Sequence, residues 1–175
     1  MGFGTAGEVV RAGTWQGEAV ARVVLDYEGR FLRRKRLAVE GGGDVLVDLP
    51  QTVSLEPGDG LRVEAGVIEI AAAAEPLLRI KGNLVRLAWH IGNRHTPCEV
   101  AGDHLLIRAD HVLADMLAHL GAEVEAIDAP FRPEGGAYGH GRTHGHSHGP
   151  EEQSHGHEHD HTHDHEHDHR HGHGH

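Results

Sequence analysis

The run LLRIKGNLVRLAWHIGNRHTPCEVAGDHLLIRADHVLADMLAHLGAEVEAI (77–127) decides the fold. LLRIK (77–81) reads as a strand. Asn83 then offers a helix cap, and Leu84, Leu87, Ala88 and Ile91 recur at i, i+3, i+4 and i+7, one helical face. Gly92-Asn93 closes that helix. CEVA (98–101) and HLLIR (104–108) form two short strands around Gly102-Asp103, a hairpin signal. Asp110 caps a second helix, with Leu113, Met116, Leu117 and Leu120 on one face and Gly121 as its stop. AEVEAI (122–127) is the last strand. The order βαββαβ is the ferredoxin-like split βαβ arrangement.

Upstream, residues 20–71 read as β. VARVVLDY, DVLVDLP, LRVEAG and VIEIA are rich in Val, Ile and Leu. Turn clusters separate them at Glu28-Gly29, Gly41 to Gly43 and Glu56-Pro57-Gly58-Asp59-Gly60. Short strands without helical period predict a small all-β domain, a barrel or a sandwich. Ala71 to Ala74 followed by Glu75-Pro76 marks the junction. The predicted class is therefore α+β: a β-rich N-terminal domain (1–74), a ferredoxin-like domain (75–133) and a disordered, His-rich tail (134–175).

Composition narrows the function. The chain has 175 residues and only 4% aromatics, so its core must be aliphatic. A net charge of −11 argues against nucleic acid, which is bound through basic patches. The basic run Arg33-Arg34-Lys35-Arg36 reads as a solvated strand or loop. No apolar run approaches the roughly 20 residues that span a bilayer, and MGFGTAGEVV lacks a signal-peptide pattern. The single cysteine, Cys98, permits no intrachain disulfide and reads as a small buried hydrophobe. These features predict a cytoplasmic protein.

The tail is the strongest chemical signal. In HGHEHDHTHDHEHDHRHGHGH (155–175) histidine stands at every second position. Such a tract cannot bury enough apolar surface to fold, and its composition reads as metal binding. Neutral imidazole suits nickel, zinc and copper, whereas calcium and magnesium take oxygen ligands. In an extended chain, residues two apart point the same way at roughly 6.5 Å, so neighbouring imidazoles can lean onto one ion. Loose, exchangeable sites of this kind suit capture and hand-over better than a closed structural site.

The folded part holds His90, His95, His104, His111 and His119. A single histidine cannot make a metal site, but a two-fold axis would bring one next to its own copy. His95 lies just past the first helix. His111 opens the second, where the helix N-terminus disfavours positive charge and leaves an imidazole available as a ligand. His119 in the last turn already has a favourable dipole there, His104 sits at a hairpin, and His90 is next to Trp89. No P-loop, CxxC, HExxH or GxSxG motif is present, which argues against an enzyme.

GNRH (92–95), DHVLADML (110–117), the following LG (120–121) and PFRPEGGAYGHG (130–141) resemble the UreE family of urease accessory proteins. DLP (48–50) and EPGDGL (56–61) fit the β-rich domain of that family. The resemblance implies a cytoplasmic nickel metallochaperone rather than an enzyme, dimerising through its ferredoxin-like domain. It implies that His95 sits on the two-fold axis and that both copies bind one nickel, which passes to the urease apoprotein complex through an accessory GTPase. The tail would bind further ions and add ligands to the shared site. That role falls to its first histidines, His140 and His144, with His146 and His148 as further ligands. Some members carry HDH where this chain has Ala109-Asp110-His111, so His111 matches the second histidine and Ala109 replaces the first.

Intrinsic imidazole affinity favours copper over nickel, so zinc or copper binding is expected as well, and nickel selectivity must come from geometry, supply or partner. Protons compete for imidazole, whose ordinary pKa is about 6.5, so nickel should leave the tail between about pH 7 and pH 5.5. Nickel storage or detoxification through the tail is the alternative function.

Overall fold

A computed structural model describes residues 2–135; the tail histidines His140, His144, His146 and His148 lie outside them. The β-rich half contains β1 (Gly2–Ala6), β2 (Glu8–Val10), β3 (Ala21–Leu25), β4 (Phe31–Ala38), β5 (Asp44–Ser54), β6 (Gly60–Val63) and β7 (Gly66–Ala72). These strands form two open sheets, β1-β5-β4 and β2-β6-β7-β3. Their buried faces share one aliphatic core that includes Val23, Leu37, Val45, Val47, Leu61, Ile68 and Ile70. A sandwich rather than a closed barrel results. Two pairings, β1–β5 and β3–β7, are parallel.

The basic run falls on β4, at the edge of its sheet, and is solvated as expected. Arg34 faces Asp48 across the ladder, Arg36 reaches diagonally to Asp44, and both pairs are exposed ion pairs. Charge on an edge strand also discourages strand-to-strand aggregation.

The turn between β5 and β6 is built on a buried carboxylate. Asp59 accepts from Arg11 Nη1 at 2.7 Å and from the backbone N–H groups of Ala12 and Glu56, each at 2.9 Å. Three donors compensate the loss of water that burial imposes on this charge.

β8 (Ala74–Lys81) follows β7 with only Ala73 between them. The chain then forms α1 (Leu84–Gly92), β9 (Glu99–Val100), β10 (Leu105–Arg108), α2 (His111–His119) and β11 (Glu123–Pro130). The sheet order is β11-β8-β10-β9 with every pair antiparallel. Numbered within the unit, that is 4-1-3-2, which confirms the ferredoxin-like reading.

Alternation along β8 and β10 sends side chains to two different cores. Leu78, Ile80, Leu105 and Ile107 pack with Leu87, Ile91 and Leu117 of the helices. Leu77 and Leu106 point the other way, to Tyr27 and Phe131. Both helix caps form as read: Asn83 accepts from the Arg86 N–H and Asp110 from the Leu113 N–H. Gly121 takes φ +85° after α2, the left-handed conformation that glycine adopts without strain.

The junction between the halves is dense. Arg30 is 1% exposed, and its guanidinium lies 3.5 Å from Glu56 and 5.6 Å from the Tyr27 ring centroid. Arg108 approaches the same ring at 5.9 Å and pairs with Glu28 at 3.0 Å. Tyr27 N–H donates to Glu75 at 2.8 Å, and Phe131 meets Tyr27 edge-on at 5.3 Å. Among the described residues no helix is long and apolar enough to cross a membrane.

Candidate metal centre

The end of α1 departs from the sequence expectation in an informative way. Gly92 is the last helical residue and does not take a positive φ. The turn runs on, with Arg94 N–H donating to Ile91 and His95 N–H to Gly92, at 3.1 and 2.9 Å. The left-handed residue is His95 itself, at φ +56°; it is the only non-glycine with positive φ among the described residues. That conformation costs about 1 kcal/mol or more in an L-residue. The imidazole it presents is exposed.

An apolar stripe leads to this turn. Val85 and Trp89 are 85% and 64% exposed and stand one helical turn apart on α1. The next position on that face is the helix end from which the His95 turn springs. Trp89 also meets the His90 ring edge-on at 5.0 Å. Opposite faces of α1 thus do different work: Leu87 and Ile91 are buried against the sheet, and Val85 and Trp89 are left outside.

His111 is the first residue of α2 and is exposed, beside Val112 at 62% exposure. Its neighbour Ala109 donates its N–H to Pro76 and offers no ligand atom in its side chain. The other histidines are engaged elsewhere. His104 Nδ1 lies 2.6 Å from the Asp103 carboxylate, a contact that holds the Asp103 carboxyl below its ordinary range. His119 Nδ1 lies 2.7 Å from the Asp115 carbonyl.

Cys98 lies one residue before β9, half-buried against the helix-side core rather than fully buried in a strand as read. Burial pushes its thiol up to about 11, and the charges of Glu134 and Glu99 push the same way. A protonated thiol of this kind is a poor ligand and a poor nucleophile.

Among the described residues, no three His, Cys, Asp or Glu side chains come together in a metal-holding group. Neither His95 nor His111 joins such a group within the described residues. The left-handed φ of His95 was invisible in the sequence, because GNRH contains two residues, Gly92 and Asn93, better suited to that conformation.

Comparison with known proteins agrees with this architecture. A family model described as UreE urease accessory protein, N-terminal domain, matches residues 6–73, and one for the C-terminal domain matches residues 67–175. The urease accessory protein UreE of Paracoccus denitrificans is 61% identical over 70% of this chain and 80% of its own length. That of Rhodobacter capsulatus is 56% identical over 79% of this chain and 88% of its own length. With two family models that together cover residues 6–175, on a sandwich and a split βαβ unit, the chain belongs to the UreE family of urease accessory proteins, which are accessory chaperones and not enzymes.

Proposed function

We propose that this chain is a nickel metallochaperone of urease maturation, working as a homodimer in the cytoplasm. Two ferredoxin-like domains meet through the Val85–Trp89 faces of α1, and the two His95 imidazoles share one nickel ion. The observation that carries the reading is His95: an exposed imidazole held in a strained conformation at the end of an exposed apolar stripe. Strain of this kind persists where it serves a site, and an isologous contact is the simplest way for one histidine to become two ligands.

The domain limits follow the sequence: 1–74 for partner binding, 75–133 for metal binding and dimerisation, 134–175 for loading. His140, His144, His146 and His148 extend the shared site, and the later tail histidines form a reservoir that also accepts zinc or copper. The occupied dimer passes nickel to the accessory GTPase and the urease apoprotein complex. His111 is a secondary ligand without the first histidine of the HDH pattern.

The test is urease activation at limiting nickel. A His95→Ala chain should fail to support activation while expressing and folding normally. Full activation by that variant would contradict the reading.

Storage or detoxification is the second reading. It is favoured by the absence of a three-ligand group among the described residues and by the concentration of histidine after residue 139. On that reading, nickel tolerance of cells follows the tail and is indifferent to His95.

A further inference from the structure

Strand β4 carries Arg33-Arg34-Lys35-Arg36, all exposed, in a chain of net charge −11. Asp48 and Asp44 neutralise Arg34 and Arg36. Arg33 and Lys35, two positions apart, are left over. Among the described residues neither has a carboxylate within ion-pair distance, and the Arg33 guanidinium donates only to the Leu49 carbonyl, at 3.4 Å. β4 ends its sheet, and no strand among the described residues pairs with its outer edge.

Lys35 stands on an unexpected face. It lies opposite Val47 and two residues before Leu37, both buried in the sandwich core. Residues opposite each other, or two apart on a strand, share a face of the sheet. Lys35 is therefore on the core side of β4 and is nevertheless exposed, at the open flank of the sandwich.

We infer that β4 is a docking edge for an extended acidic segment of a partner protein, whose carboxylates, two residues apart, face Arg33 and Lys35. The inference deepens the reading of residues 1–74 as the partner-binding half and rests on it.

The chemistry of the edge selects this occupant over others. An added strand would take up the open backbone N–H and C=O groups of β4 and would cover Lys35. A strand that is apolar at that position would bury the ammonium without a counter-charge, which is strongly unfavourable. A carboxylate there pairs it instead. A second copy of β4 would set cation against cation across the new ladder. A nucleic acid would meet the repulsion of the whole chain's negative charge and cannot continue a backbone ladder. A short segment with a few carboxylates needs only the local excess of cations on β4. The charges that turn away apolar edges and second copies thus admit one chemistry.

The experiment uses the full chain and an eight-residue threonine peptide carrying three glutamates spaced two apart, titrated by NMR with amide exchange as the map. Added protection should fall on residues 31–38. Arg33→Gln and Lys35→Gln should each weaken the peptide about threefold, and the double variant about tenfold, with thermal unfolding unchanged because both side chains are exposed. The same peptide with its glutamates three apart should bind about threefold more weakly, since neighbouring carboxylates then point to opposite faces.

Equal affinity for the two peptides would mean diffuse attraction and would overturn strand docking. So would the absence of binding at millimolar peptide. If every amide of residues 33–36 is protected before peptide is added, a part of this chain is the occupant and the assignment to a partner falls. Protection elsewhere within residues 1–74, indifferent to Arg33 and Lys35, would overturn the β4 edge and leave the partner-binding half standing. Protection confined to residues 75–133 would remove both.

Discussion

The junction around Tyr27, Arg30 and Phe131 and the outer face of α1 are opposites. At the junction a guanidinium is 1% exposed, an aromatic ring is fully buried, and the Arg108–Glu28 ion pair joins the halves. On α1, Val85 and Trp89 remain in water and His95 carries backbone strain. One region is satisfied within a single chain, and the other leaves apolar surface and an imidazole in solvent. Strain and exposed apolar surface coincide at the candidate site, whereas buried charge is confined to fixing the frame that holds it.

Breaking the junction should have the largest effect. Phe131→Ala removes a fully buried ring and should cost about 3–5 kcal/mol of folding stability, read from denaturant midpoints. A loss below about 1 kcal/mol would mean that the two halves are stable without this contact.

Trp89→Ala should behave in the reverse way. Folding of the single chain should change by no more than about 0.5 kcal/mol, because the ring is mostly exposed. Self-association should weaken by about 2 kcal/mol or roughly 30-fold, the size of an aromatic anchor at an interface. Sedimentation equilibrium decides this, and unchanged association would remove the α1 face from the dimer.

His95→Gly sharpens the contrast further. Glycine takes φ +56° freely, so folding stability should rise by about 1 kcal/mol while the tight nickel site is lost. Thermal unfolding of the metal-free chain reads the first effect. A variant less stable than the parent would show that His95 is not strained.

Cys98 gives the smallest and most local test. Its folded pKa, about 11, lies above that of a free thiol, so its contribution to stability is present below pH 9 and is lost as pH rises toward 11. Alkylation at pH 8.5 should be much slower in the folded chain than in denaturant, since the thiolate is the reactive form. Equal rates would show that burial does not protect the thiol.

Much of the ferredoxin-like half was legible because local signals agreed there. Asn83 and Asp110 announced the caps, the leucine spacing announced the helix faces, and Gly102-Asp103 announced the β9–β10 turn. The β-rich half was harder to read. β1, with the sequence GFGTA, and β4, with four consecutive basic residues, lack the alternation that marks a half-buried strand. The parallel pairings β1–β5 and β3–β7 are long-range and leave no local trace. At the candidate site the histidine was readable, but its left-handed φ and the hydrogen bond from the Arg132 N–H to Glu99 were not. Both arise from where the chain is held by distant residues, and composition carries no record of that.

The central claim is that the tight site belongs to the folded dimer and the tail is auxiliary. Nickel titration into a chain ending at Thr143, which keeps His140 and removes the later histidines, tests it most directly. The account predicts one tightly held ion per two chains. No tightly held ion would contradict it and would make the tail itself the binding device.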